Sequence, residues 1–429
     1  MTPQVHDATH HLQEQAFLTD FHHTARFGAT PGGGIDRQAG TVEHGQVRDW
    51  FCARARQRGL DVRVDGIGNV FAAHTWDPEA PYVLVGSHLD SQPLGGRYDG
   101  TYGVIAALHA VGAVIDAHTS APPPRFNLAV VDWFNEEGAR FAPSIMGSSV
   151  FAGLLDLDRT LDTQDPAGIT VRQALERTGY LGGPVDLAPA AYAEIHIEQG
   201  RRLERARVPI GVVRESRYTQ KLLVQVVGEQ SHTGATLMAD RRDALIAAAH
   251  VVLAVEGVVD QFPPESIVTS VGQFDVLPNS PIVVPRQVDL VVDIRADTPG
   301  HVHRARRLLL ERMEQVAADR NVEVTAADFD VRPVQRFPAE AVDLGGKAAG
   351  DEGAESMVLS TMAGHDSVPL NRITPSVMLF VPSADGVSHC EREYTADTDL
   401  LTGLRVLTRV VQRLVSGDLA GVVPGGAAH

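Results

Sequence analysis

Near position 90 of this 429-residue chain lie two residues that could act as a metal ligand and as the group that orients this ligand. His88 and Asp90 closely follow the apolar run Tyr82–Val85, which predicts a buried strand. A metal-bound imidazole commonly donates its second ring N–H to a carboxylate, so a His-x-Asp pair can supply a ligand and its orienting group together. Taken alone the pair is a weak signal, because an ordinary loop histidine can have the same neighbours.

Carboxylates also occur where the chain is expected to turn. Asp99 lies among glycines that permit a tight backbone path, although a solvated turn aspartate would have the same surroundings. Glu136 and Glu137 are adjacent at the end of the predicted buried strand Phe126–Phe134. Two carboxylates there are costly unless a positive group compensates them. Since they point in different directions, one can bind a metal while the other faces a metal-bound water; the alternative is a charged loop.

Two more histidines complete a candidate ligand set. His196 lies on the predicted strand Tyr192–Ile197, and His389 follows a Gly-Val-Ser segment. The candidate metal ligands, which all carry imidazole or carboxylate donors, are His88, Asp99, Glu137, His196 and His389. Such donors suit two borderline divalent ions (Zn²⁺, Mn²⁺, Co²⁺ or Ni²⁺) better than calcium or thiolate-bound metals. Cys390 is interpreted as a bystander, because the only other cysteine, Cys52, is far away in sequence.

The strands that must position these residues alternate with helices such as Gly103–Ile115, which predicts an α/β fold with a mixed sheet. After Gly211 the order becomes strand, helix, two strands, helix and strand, which resembles a ferredoxin-like sandwich. We therefore predict a discontinuous metal-binding catalytic domain, residues 1–211 and 332–429, with a ferredoxin-like α+β domain, residues 212–331, inserted into it. The Gly/Ala/Pro-rich tail from Gly417 is expected to fray.

The net charge, the hydrophobic pattern and the cysteine content limit the partners and the cellular location that we expect. A net charge of −17 disfavours nucleic acid and anionic membranes as partners. The sequence shows neither a secretory leader nor 18 uninterrupted apolar residues, so we expect a cytoplasmic protein without a membrane span. With two cysteines, no disulfide framework is expected.

Several ordered motifs together resemble one family. They are Gly-Ser-His-Leu-Asp-Ser, Gly-x-Tyr-Asp-Gly, Asn-Glu-Glu-Gly-x-Arg-Phe, His-Ile-Glu-Gln-Gly and Gly-x-Ser-His, within a similarity that runs from about residue 15 to 415. This set is similar to the amidase/hydantoinase/carbamoylase branch of the zinc aminoacylase/carboxypeptidase-like metallohydrolase superfamily. That branch includes N-carbamoyl-L-amino-acid hydrolases, allantoate amidohydrolases and β-ureidopropionases. Single motifs of this kind are weak, but five in the right order are specific.

The resemblance implies a role for each matching residue. Asp99 would bridge two metal ions, with His88 and His196 on different ions and with Glu137 and His389 completing the set. Glu136 would act as the general base, and Asp90 would orient His88. The resemblance also implies that Gln199, Asn279 and Arg295 contact the substrate. His232 would be the lid histidine. The inserted domain would serve as lid and dimerisation domain, so that His232 could act in its own or in the partner subunit's site.

These roles imply a binuclear-metal amidohydrolase that removes an N-carbamoyl group from an amino acid or a related small carboxylate. The alternatives are hydrolysis of another N-acyl amino acid, a dipeptide or an unusual small amide, and, outside enzymes, an inactive binding protein on the same scaffold. One departure affects specificity: the family usually has Ala-Gly-Thr-Thr-Pro after the lid histidine, where this chain has Thr233-Gly234-Ala235-Thr236-Leu237.

Overall fold

The computed structural model describes the backbone of residues 3–119 and 121–427, and the side chains of residues 12–119 and 121–426. The described chain forms two compact units. The first contains the residues up to Ser216 together with Gln335–Gly426, and the second contains Arg217–Val334. The first boundary lies beyond the predicted residue 211 because the strand Ile210–Ser216 continues as part of the first unit's sheet.

The amino-terminal part of the first unit alternates helices and strands. In chain order its elements are α1 (Pro3–Thr24), α2 (Val42–Gln57), β1 (Asp61–Val64), β2 (Val70–His74), β3 (Tyr82–His88), α3 (Thr101–His118), β4 (Asn127–Trp133), α4 (Met146–Phe151), α5 (Leu157–Leu161), α6 (Val171–Thr178), β5 (Pro189–Ile197), α7 (Arg202–Ala206) and β6 (Ile210–Ser216). All seven residues of β3 and of β4 are buried, in agreement with the apolar residues that make up most of both strands.

The second unit has the expected β-α-β-β-α-β order, with a short ribbon added. Its elements are β7 (Tyr218–Val227), β8 (Ser231–His232), α8 (Ala244–Gly257), β9 (Ile267–Leu277), β10 (Val283–Val284), β11 (Gln287–Ala296), α9 (Pro299–Arg320) and β12 (Glu323–Arg332). The main sheet has the order β12-β7-β11-β9, and each strand is antiparallel to its neighbours. Strand β11 alternates half-buried and buried residues along its whole length, so one face packs on α8 and α9.

The chain then returns to the first unit. The remaining elements are β13 (Gln335–Arg336), α10 (Ala339–Asp351), β14 (Ser356–Thr361), α11 (Ser367–Leu370), β15 (Ser376–Val381), α12 (Asp397–Ser416) and β16 (Gly426–Ala427). The ten-stranded sheet has the order β1-β2-β4-β3-β5-β15-β6-β13-β16, and β14 also pairs with β6. The described part of the tail after Gly417, which was expected to fray, contains Leu419 buried in the core and reaches β16.

Among the described residues, two helical segments are long and apolar enough to cross a membrane by length and composition alone. Thr101–His118 is 72% buried and packs between the sheet and α12, as a core helix does. The second segment, Ala244–Gln261, is 33% buried and packs one side against the sheet of the second unit. The core helices of soluble proteins have the same length and composition, so neither segment is strong support for a membrane span.

Candidate metal centre

The proposed ligands meet at one edge of the large sheet. Strand β3 is parallel to both β4 and β5, and β5 is parallel to β15. Neighbouring parallel strands end at the same edge, where ligands of open α/β sheets bind. His88 ends β3, His196 lies near the end of β5, and the loops after β4 and β15 carry Glu136, Glu137 and His389.

A first group of potential ligands consists of His88, Asp99 and His196, whose donor atoms all lie within 4.8 Å of one another. The Nε2 atoms of His88 and His196 lie 3.4 Å and 2.9 Å from the Oδ1 atom of Asp99. All three side chains are buried. The group therefore presents two imidazoles and one carboxylate oxygen toward a common point.

A second group shares Asp99 and adds Glu137 and His389. Here His389 Nε2 lies 3.3 Å from Asp99 Oδ2 and 3.5 Å from Glu137 Oε2. The two oxygens of Asp99 thus belong to different groups. This geometry disagrees with the expectation that His88 and His196 would serve different ions, because both rings lie on the Oδ1 side of Asp99.

The residues present fit a pair of cations. The Nε2 atom of His88 is buried and has no hydrogen-bond partner among the described residues. Burial and the nearby Asp99 raise the pKa of Glu137 to about 7. Against the effect of burial, Asp99 and Glu137 raise the pKa of the His389 imidazole to about 9. Imidazole and carboxylate donors crowded in this way suit borderline divalent ions, which would compensate the buried negative charge.

Glu136 lies beside the ligands without belonging to either group. Its Oε2 atom is 3.5 Å from His88 Nε2, and the residue is 7% exposed. Burial raises the pKa of Glu136 well above its usual value, partly offset by His88. A buried carboxyl group with a raised pKa can take up and hold a proton, as a general base requires.

The preceding turn separates the two adjacent glutamates. Asn135 has a left-handed backbone with φ of 53°, and its side-chain amide donates to the carbonyl of Phe141 at 2.9 Å. This arrangement ends β4 abruptly, so that Glu136 and Glu137 leave the sheet edge in different directions.

Asp90 has a different role from the one expected for its side chain. The Nδ1 atom of His88 lies 3.0 Å from the main-chain carbonyl of Asp90, and 3.6 Å from its carboxylate. The carboxylate instead accepts the backbone N–H groups of Glu136 and Glu137, at 3.2 Å and 3.3 Å. Asp90 therefore orients the histidine through its backbone and fixes the two glutamates through its side chain.

The sequence did not predict that buried charged side chains bind the backbone of Leu89, next to His88. Arg37 Nε donates to the Leu89 carbonyl at 2.8 Å, and the Leu89 N–H donates to Asp132 Oδ1 at 2.9 Å. Asp132 also pairs with buried Arg48 at 2.7 Å. The available signal was Asp132 itself, a charged residue inside an otherwise apolar strand, which must have a buried partner. Arg37 carries no comparable signal, because it lies in a loop.

Gln199, expected to contact substrate, lies at the metal-ligand cluster. Its Nε2 atom donates to Asp99 Oδ2 at 2.6 Å and lies 3.3 Å from His389 Nε2. Its Oε1 atom is buried and has no hydrogen-bond partner among the described residues. The amide is therefore in a position to contact a group bound beside Asp99.

The second unit carries the other predicted residues, His232, Asn279 and Arg295. The Nδ1 atom of exposed His232 accepts the N–H groups of Gly234 and Ala235, at 3.0 Å and 3.1 Å. A neutral ring that accepts at Nδ1 carries its proton on Nε2, so this tautomer presents a donor outward. Asn279 is exposed and has a left-handed backbone with φ of 52°.

Arg295, the predicted carboxylate anchor, already has an acidic partner on its own strand. Its Nη2 atom lies 2.7 Å from Asp293 Oδ2, and its Nε also donates to the same carboxylate. The two residues are two positions apart on β11, so both side chains lie on the same face. Arg295 was predicted from the sequence, whereas its pairing with Asp293 was not.

Comparisons with known proteins agree with this architecture. The profile of the Peptidase family M20/M25/M40 matches residues 84–413. A Mycolicibacterium smegmatis relative, whose name goes no further than hydrolase, is 48% identical and aligns over 97% of this chain and 96% of its own. The N-carbamoyl-L-amino-acid amidohydrolase of Paenarthrobacter aurescens is 35% identical, and the alignment covers 94% of this chain and 98% of that relative. The crystal structure of a hydantoinase/carbamoylase-family amidase from Burkholderia vietnamiensis superposes with a TM-score of 0.90. The two sequences are 33% identical, and the superposition covers 94% of this chain and 98% of the other.

The fold and its cluster of potential ligands define a hydrolase of the M20 type, and the chain belongs to the M20/M25/M40 peptidase family. Within that family its similarity is to amidohydrolases, so it is an enzyme that hydrolyses amide C–N bonds. The predicted family, the mixed α/β fold with an inserted domain and the enzyme class are thereby confirmed.

Proposed function

We propose that this protein is a binuclear-metal amidohydrolase that removes an N-carbamoyl group from a small substrate bearing a carboxylate. The observation that carries the proposal is the pair of ligand groups that share Asp99, with Glu136 beside them. A shared carboxylate with one oxygen toward each group suits two ions held close together. The metal ligands are His88, Asp99, Glu137, His196 and His389.

In the proposed reaction, the cations and the side chains of the protein have separate roles. Two divalent cations would supply Lewis acidity, lowering the pKa of a water and polarising the substrate carbonyl. Glu136 accepts the proton of the attacking water and delivers it to the leaving nitrogen, so that the amine departs neutral. His232 donates its Nε2 proton as a hydrogen bond to the oxygen that gains charge. Gln199, Asn279 and Arg295 bind the polar groups of the substrate.

A ureido substrate has the best support among the possible amides. The relative from Paenarthrobacter aurescens is named for N-carbamoyl-L-amino acids, and it aligns with nearly the whole chain. Other N-acyl amino acids and dipeptides are second candidates, since the segment Thr233–Leu237 departs from the usual motif. An inactive binding protein is disfavoured, because every proposed ligand position and Glu136 are present.

The function is tested by measuring turnover of the metal-loaded protein on a substrate panel. The panel contains N-carbamoyl-L- and D-amino acids, allantoate, N-acetyl amino acids and dipeptides, with ammonia or free amine as the product measured. Protein treated with a chelator and then reloaded with Zn²⁺, Mn²⁺, Co²⁺ or Ni²⁺ serves as the control. We expect the highest kcat/KM on a ureido acid; measurable turnover only on N-acyl amino acids or dipeptides would contradict the ureido assignment.

Replacing Arg295 by alanine is expected to raise KM for carboxylated substrates about tenfold or more, because a hydrogen bond to a charged group contributes about 1.5–3 kcal/mol. The kcat should change much less. Arg332→Ala is a matched control, since Arg332 pairs with Asp330 two residues before it on β12, as Arg295 does with Asp293. The measurement is KM for an N-carbamoyl amino acid and for its carboxamide; equal effects on both substrates would refute the anchor.

We also propose a homodimer formed through the second unit. Strand β9 is at an edge of its sheet and exposes the apolar side chains of Val268 and Leu277, while α8 exposes Leu253 at 61%. An edge strand next to exposed apolar residues is suited to pairing with a second chain.

Leu253→Glu is expected to weaken this dimer at least tenfold, because it places a charge in an apolar contact. Sedimentation of the wild type and the variant over a range of concentrations measures the change. Val358→Glu replaces a similarly exposed residue of the first unit and should leave the assembly intact. A wild-type chain that sediments as a monomer throughout would contradict the proposal.

A further inference from the structure

A buried carboxylate outside the proposed ligand set joins the two ligand groups. Glu393 is 4% exposed and follows His389 by four residues. Its Oε1 atom accepts the backbone N–H groups of Tyr98 and Asp99, at 3.0 Å and 3.1 Å. Its Oε2 atom accepts the hydroxyl of Ser388 at 2.6 Å. One side chain therefore holds the backbone of the shared ligand and the residue directly before His389.

The loop that carries Asp99 is shaped to receive this carboxylate. A Cβ atom added to Gly96 would lie 2.0 Å from Glu393 Oε1, so only glycine allows the approach. On the other side of Asp99, a Cβ atom on Gly100 would lie 2.3 Å from the ring of His88. The loop is thus confined between Glu393 and a proposed metal ligand, and its position depends on both.

The segment with His389 also needs an external support. His389 has a left-handed backbone with φ of 56°, which is strained for a residue with a side chain. Ser388 lies 3.1 Å from Asp99 Oδ2 as well as 2.6 Å from Glu393. A hydroxyl has one proton, and the shorter distance directs it to Glu393. Ser388 is therefore tied to Glu393, which keeps His389 in its strained conformation.

We propose that Glu393 is a positioning residue that sets Asp99 and His389 relative to each other, so that the two groups bind cations together. The inference rests on the proposed metal centre. Loss of Glu393 leaves two buried N–H groups without an acceptor and releases the Ser388 hydroxyl. Groups that orient metal ligands typically contribute 10- to 100-fold to metal affinity.

The test is a Co²⁺ titration of the metal-stripped full chain, followed by the visible absorption of the bound ion. Glu393→Ala is expected to weaken Co²⁺ binding about 10- to 100-fold and to change the absorption bands, which report the ligand geometry. Glu393→Gln keeps an oxygen that accepts both N–H groups, so it should restore most of the affinity. Glu391→Ala is the matched control: this nearby carboxylate binds Gly32 N–H at 3.1 Å and the Thr30 hydroxyl instead.

The outcomes separate this inference from the proposed function. Wild-type affinity and spectrum in Glu393→Ala, or an equal loss in Glu391→Ala, would overturn the positioning role alone. A wild-type chain that binds no Co²⁺ would overturn the metal centre and this inference with it. If Glu393→Ala does not fold, Gly96→Ala replaces it in the Co²⁺ titration, because the added methyl group displaces the Glu393 carboxylate. Unchanged Co²⁺ binding by Gly96→Ala would also overturn the inference.

Discussion

Replacement of Glu136 by glutamine is expected to lower kcat about 10²- to 10⁴-fold while both cations remain bound. The amide has the size of the carboxyl group but cannot accept the proton of the attacking water. Glu136 belongs to neither ligand group, so the metal content should be unchanged. Steady-state kinetics on a ureido substrate and elemental analysis of the same preparation measure both quantities.

The adjacent glutamate provides the control for this variant. Glu137→Gln removes a ligand carboxylate from the group with His389, so it should lower metal content as well as turnover. Retained turnover in Glu136→Gln would refute the general-base role. Loss of metal from that variant would instead mean that Glu136 serves as a ligand.

Asp99→Ala is expected to remove both cations and to reduce turnover below detection, because its two oxygens contact different ligand groups. The substitution also takes away the acceptor of the Gln199 side-chain amide. Elemental analysis after dialysis against a weak chelator measures the number of ions retained by each variant.

His389→Ala distinguishes a shared ligand from an ordinary one. His389 belongs to one group only, so this variant should keep one of two cations while Asp99→Ala keeps none. Two ions retained in Asp99→Ala would exclude the bridging role. Equal loss in both variants would mean that the two sites do not fill separately.

Part of the cluster of candidate ligands could be predicted from the ends of buried strands. His88 and His196 follow from strand patterns, since parallel strands bring their carboxyl ends to one sheet edge. The division into two groups could not be predicted, because it depends on how the loop before α3 aims the two oxygens of Asp99. That loop contacts Glu393, which accepts the Asp99 N–H and lies against Gly96 although it is far away in sequence.

Other differences have the same origin in tertiary contacts. The sequence indicates that Asp90 can orient His88, but the choice between its carbonyl and its carboxylate is made by the neighbouring N–H groups of the glutamates. The carboxyl-terminal tail has a composition typical of a flexible segment, yet burial of Leu419 anchors it. In both cases local pattern identifies the residue, and packing determines what it does.

If the two ligand groups hold cations as proposed, the carboxylate crowding around Glu137 and His389 would make cation uptake an acid–base event. With a pKa of about 7 for Glu137 and about 9 for His389, protons would compete with the ion for both side chains below about pH 7, and for the His389 imidazole alone up to about pH 9. Affinity for the ion would therefore rise with pH up to about 9, and binding would expel protons into the buffer. The degree of loading, and with it the fraction of competent molecules, would be tied to the acidity of the surroundings.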